Sequence, residues 1–100
     1  MKDILDAHMH TLASGHAYST IREMVRAASQ KGLELIGITE HAPMMPGTCH
    51  EIYFHNFKVI QREAYEVPLL MGAELNITSY NGMVDLKDYV LAKIDYAVAS

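Results

Sequence analysis

The strongest chemical signal in this chain is the segment Asp6-Ala7-His8-Met9-His10. On a β-strand, residues two apart point the same way and sit roughly 6.6–6.8 Å apart. Two imidazoles at that spacing can lean onto one ion through Zn–N bonds of about 2.0–2.1 Å. Asp6, His8 and His10 on one strand face are costly to bury unless something pairs with them, and a metal does so. An isolated His-x-His reads more readily as the wet face of an edge strand. The other candidates change that balance. His16 lies in the loop after this segment, His41 ends a second apolar segment, and Glu74 lies near the end of a third. Parallel α/β folds gather catalytic groups at the C-terminal ends of strands, where loops converge. A patch of imidazoles with one carboxylate suits Zn, Mn or Fe better than Mg.

The elements that must hold these residues follow from the pattern. Ile4 to His10 alternates apolar and polar residues, which predicts a strand with Leu5, Ala7 and Met9 on one face. Thr20 and Glu23 have capping-box spacing. Ile21, Met24, Val25 and Ala28 then form one apolar stripe, which predicts a helix ended by Gly32. Leu33 to Thr39 reads as a buried parallel strand running into Glu40-His41, and Pro43, Pro46 and Gly47 break its continuation. A helix is expected over Phe54 to Tyr65. A third strand is expected over Leu69 to Leu75, then an excursion around a turn at Asn81-Gly82. A short helical turn over Leu86 to Leu91 leads to a fourth strand from Ile94 to Ala99. Strands alternating with amphipathic stretches predict an α/β fold around a parallel sheet.

Composition sets the outer limits. The chain has 100 residues, 50% hydrophobic and 20% charged, with a formal net charge of −4. A chain of this size can bury a modest core. Its single cysteine, Cys49, excludes a disulfide framework within the chain and suits a reducing, cytoplasmic setting. No apolar run reaches the length of a membrane span, and the first residues carry no signal-peptide pattern. Eight Lys and Arg, thinly spread, argue against nucleic acid as a partner. An apolar strand at the very end of the sequence is expected to belong to a larger barrel.

The sequence resembles the amino-terminal part of the PHP (polymerase and histidinol phosphatase) family, and is most similar to its bacterial metal-dependent phosphatase branch. The segments that carry the resemblance are Asp6-Ala7-His8-Met9-His10-Thr11, Gly15-His16-Ala17-Tyr18-Ser19, Gly37-Ile38-Thr39-Glu40-His41 and Gly72-Ala73-Glu74-Leu75-Asn76. The resemblance implies that residues 1–100 are one partial PHP domain, the N-terminal portion of a distorted (β/α)7 TIM-like barrel with metals clustered at its top. It implies that His8, His10 and Glu74 hold a first divalent ion and that His16 and His41 hold a second, with Glu74 bridging to a third. Asp6 and Glu40 would support these ligands, Asp6 by accepting the other N–H of an imidazole. Many members carry Asp where this chain has Glu40, and the family barrel is more than twice as long, with further ligands in its later part.

The expected activity is hydrolysis of a small phosphate monoester by a metal-bound hydroxide, with two or three Zn ions, or Mn or Fe in their place. Two rivals are a PHP-type nuclease or proofreading phosphodiesterase, and an inactive barrel piece acting only as a scaffold. An amidohydrolase-type barrel also places His-x-His after its first strand, but the early His16 and His41 fit PHP better. Unpaired strand edges would favour self-association. His50 and His55 are expected at the surface or on a lid. Cys49 is expected to be an incidental loop thiol, and Met24 and Met71 core filler. Met44 and Met45 could line a lid. Tyr18 and Ser19 could reach substrate oxygens, and Ser19 could equally cap the helix.

Overall fold

A computed structural model describes residues 4–100. Four parallel strands, β1 (Leu5–Met9), β2 (Leu35–His41), β3 (Leu69–Leu75) and β4 (Tyr96–Ala99), lie side by side in chain order. They curl into a half-barrel with helices, the architecture of the N-terminal part of a TIM-like barrel. Three helices fill the connections: α1 (Ile21–Gln30), α2 (Glu51–His55) and α3 (Asp88–Leu91). No helix of the described residues is long and apolar enough to cross a membrane.

Helix α1 forms as its sequence requires. The Thr20 hydroxyl accepts from the Glu23 N–H at 3.2 Å, and the Glu23 carboxylate accepts from the Thr20 N–H at 2.8 Å. Val25 and Ala28 are buried against the sheet, with Ile21 and Met24 partly so. Gly32, at φ 77°, ends the helix in the left-handed conformation.

The central strands carry two rows of side chains each. Ile36, Ile38 and Glu40 of β2, with Leu69, Met71, Ala73 and Leu75 of β3, are buried in the layer shared with the helices. Gly37, Thr39 and His41 form the other row, and the register sets Thr39 beside Gly72 and His41 beside Glu74. One side of the sheet is therefore a core, and the other carries the polar groups at its C-terminal end.

Five local expectations need correction. Strand β1 does not alternate strictly. Asp6 pairs with Ile36 and Met9 with Ile38, so β1 advances three residues while β2 advances two. This bulge moves Asp6 off the row that carries His8 and His10. Strand β2 begins two residues later than expected and runs on through His41. The expected helix over Phe54 to Tyr65 is a short helix ending at His55, followed by 3-10 turns at Phe57–Val59 and Arg62–Ala64. In this broken form Phe54 and Phe57 are both buried and sit edge-on to Tyr53. Strand β4 begins at Tyr96, and the short helix before it spans only Asp88–Leu91. The excursion around Asn81-Gly82 is present, closed by a bridge between Ile77 and Val84 and by Gly82 at φ 84°.

Candidate metal centre

The site lies where β1, β2 and β3 end. His8 and His10 come from the end of β1, His41 from the last residue of β2, and Glu74 from the adjoining register position on β3. His16 comes from the loop after β1. That loop is held by backbone packing, because Gly15, at φ 84°, lies against the Gly47 carbonyl where any Cβ would overlap it. On the other side, the Asp85 carboxylate accepts from the Asn76 N–H at 2.8 Å and the Met44 N–H at 2.9 Å, tying together the loops after β2 and β3.

Glu74 is the hub. Its Oε1 lies 2.6 Å from His8 Nε2 and 3.1 Å from His10 Nε2, and its Oε2 lies 3.6 Å from His41 Nδ1. The His10 and His41 rings stack at 4.3 Å, and His16 sits edge-on to both, at 5.1 and 4.7 Å. Two groups of ligand atoms result, His8 with His10 and Glu74, and His10 with His16 and His41, each within 4.8 Å of one another. All five residues singled out from the sequence therefore meet. His41 Nδ1 is buried with no hydrogen-bond partner, an uncompensated position for a ring nitrogen unless a cation takes it.

The electrostatics fit crowded donors. Burial, then the neighbouring His41, holds the His10 pKa below the ordinary imidazole value, against the pull of Glu74 and Glu40. Burial would raise the Glu74 carboxyl, but the hydrogen bond from His8 and the charges of His41, His8 and His10 outweigh it and hold it low. Neutral imidazoles and an ionised carboxylate are the forms that coordinate metals.

The two supporting carboxylates behave differently. Asp6 accepts from the His8 backbone N–H at 3.1 Å rather than from an imidazole, a consequence of the β1 bulge. Glu40 is fully buried and anchors the loop carrying His16. It accepts from the Thr11 N–H at 2.8 Å, the Thr11 hydroxyl, the Ser14 hydroxyl at 2.8 Å and the Tyr53 hydroxyl at 3.3 Å. Burial and the charge of Glu40 push the Tyr53 phenol well above its usual range, which keeps it a donor.

Sequence reasoning did not single out Thr11, Ser14 or Tyr53 for these roles, nor Tyr96. The Tyr96 hydroxyl donates to the Ala7 carbonyl at 2.5 Å, so the ring reaches from β4 back to β1. It crosses Gly72 and Gly37, where a Cβ would collide with it. Glycines on two neighbouring strands were the only visible hint, and they become meaningful only with the register known. His50 caps α2 by accepting from the Ile52 N–H, and His55 packs edge-on to Tyr89 at 5.6 Å. Neither belongs to the ligand groups found among the described residues. Tyr18 and Met44 are exposed, and the Ser19 position is not the helix cap, which is Thr20.

The chain is 46% identical over all 100 residues to a probable phosphatase of Clostridium novyi, and 49% identical over the same length to one of Thermoanaerobacter sp.. It is 50% identical over 97 residues to a probable phosphatase of Caldanaerobacter subterraneus. The chain spans 41% of the length of the first two relatives and 38% of the third. The model of the PHP domain matches residues 6–98, nearly the whole chain and every residue of the cluster, and the chain therefore belongs to the PHP domain family.

Proposed function

We propose that this chain is part of a metal-dependent phosphatase that hydrolyses a small phosphate monoester at a site of two or three divalent ions. The observation that carries the reading is the convergence of four imidazoles and one carboxylate within metal-ligand reach of each other. The donor set fits Zn first, with Mn or Fe next. His8, His10 and Glu74 form one ligand group. His16 and His41 serve a second ion, and Glu74, whose two oxygens turn to different neighbours, would bridge from the first ion to a third. Cations bound there would activate water and neutralise phosphoryl oxygens.

The rest of the chain supports this division of labour. Cys49, the lone thiol, has its pKa raised by burial, and among the described residues its side-chain hydrogen-bond partner is the Thr48 hydroxyl rather than a base. A single thiol also supports a reducing, cytoplasmic setting. The net charge of −4 favours a small phosphorylated substrate over a nucleic-acid strand. The relatives named probable phosphatases lend further support.

The test is metal analysis of the full-length protein beside a panel of phosphomonoesters and phosphodiesters. Stoichiometric Zn, Mn or Fe with monoester turnover is expected. His8→Ala and Glu74→Ala should each lose bound metal and at least ~100-fold in turnover, each by removing a ligand. Full activity in either variant with unchanged metal content would contradict the assigned roles, and turnover of diesters alone would favour a nuclease.

A further inference from the structure

His10 belongs to both ligand groups, yet an imidazole that is neutral has only one nitrogen free to coordinate. Which nitrogen that is depends on what the other one does. His10 Nδ1 lies 3.1 Å from the Ser14 hydroxyl, and its Nε2 faces Glu74. Ser14 is buried, with three neighbours. Its Oγ is 2.8 Å from Glu40 Oε1, 2.9 Å from the His41 backbone nitrogen, and within bonding distance of His10 Nδ1.

A hydroxyl has one proton and two lone pairs. The Glu40 carboxylate can only accept, so the Ser14 proton goes to Glu40. The His41 N–H can only donate, so it takes one lone pair. The remaining lone pair faces His10 Nδ1, and the contact is a hydrogen bond only if that nitrogen carries a proton. The reverse arrangement would turn the Ser14 lone pairs on a buried carboxylate oxygen, which is costly without water.

We propose that Ser14, backed by Glu40, is a positioning residue that fixes His10 in the tautomer protonated on Nδ1 and reserves Nε2 for the ion shared with His8 and Glu74. His10 then serves that ion alone, which leaves His16 and His41 to the other. The same hydroxyl holds the His41 backbone, so one buried serine couples the two ligand groups. The inference rests on the metal-site reading above, because without a cation the Glu74 carboxylate, 3.1 Å from Nε2, would itself call for a proton on that nitrogen.

The experiment uses the full-length protein with isotope-labelled histidine, loaded with Zn, which is diamagnetic. Long-range proton–nitrogen correlation spectra report which ring nitrogen of His10 holds the proton. Nδ1 protonation is expected in the parent protein, a mixture or Nε2 protonation in Ser14→Ala, and the parent pattern in Ser14→Thr, which keeps the hydroxyl. Zn titration of the same proteins after chelation should show affinity about 10–100-fold weaker in Ser14→Ala. Nε2 protonation in the parent protein overturns the proposal, and this result does not depend on any variant folding. A folded Ser14→Ala with an unchanged tautomer overturns it too. A parent protein that takes up no Zn, Mn or Fe sinks the metal-site reading and this inference with it, whereas Zn bound with His10 Nε2 protonated sinks the inference alone.

Discussion

Glu40 shows how much a single buried carboxylate can organise. Three hydroxyls and a backbone N–H satisfy its lone pairs, so its charge is dispersed over donors from the loop after β1 and from α2. Removing the acceptor leaves those buried donors unpaired. Glu40→Ala should cost about 3 kcal/mol of stability, read from denaturant unfolding, and a loss below about 1 kcal/mol would show that the donors find other partners. Cys49 presents the opposite case. Half-buried beside the Thr48 hydroxyl, with burial pushing its pKa up, it carries little thiolate at neutral pH. Alkylation should be slow in the native protein and rapid after denaturation. Equal rates in the two states would mean that the thiol is open and ionised.

At the scale of elements, the residues of the candidate site were more legible than the backbone that aims them. His8, His10, His16, His41 and Glu74 announce themselves by type and by position at strand ends, and all five meet. The α1 cap and stripe were equally readable, because Thr20, Glu23, Val25 and Ala28 interact within one helix or one layer. The β1 bulge was not, because nothing in Leu5-Asp6-Ala7-His8-Met9 marks an extra residue until β2 supplies the register. The broken helix after Phe54 was likewise hidden, since the burial of Phe57 is decided by distant strands. Tyr96 is the sharpest case. Its brace across the sheet depends on the missing side chains of Gly37 and Gly72, on strands far from it in sequence. Gly37→Ala should destabilise by about 1–3 kcal/mol through overpacking against the hydroxyl end of Tyr96. The cost should fall in a Tyr96→Phe background, where the first colliding atom is gone. Strict additivity in that double-mutant cycle would deny the contact.

At the scale of the molecule, the polar end of the sheet is built and its flanks are open. Leu5 and Ile4 are half exposed on the β1 side, and β4 alternates between exposed and part-buried residues. Edges of that kind pair with whatever strand is available. The 100 residues produced alone should therefore self-associate in sedimentation velocity and bind Zn more weakly than the full-length protein. A monodisperse monomer with full metal affinity would show that these edges need no cover. The central claim, however, is that His8 and His10 share a cation with Glu74 and that His16 and His41 share another. Anomalous diffraction at the metal edge, from crystals of the full-length protein grown with Zn or Mn, tests it most directly. The account predicts a peak about 2.0–2.2 Å from His8, His10 and Glu74 and a second beside His16 and His41. Ordered side chains at these five positions with no peak between them, in crystals that hold the metal elsewhere, would contradict it.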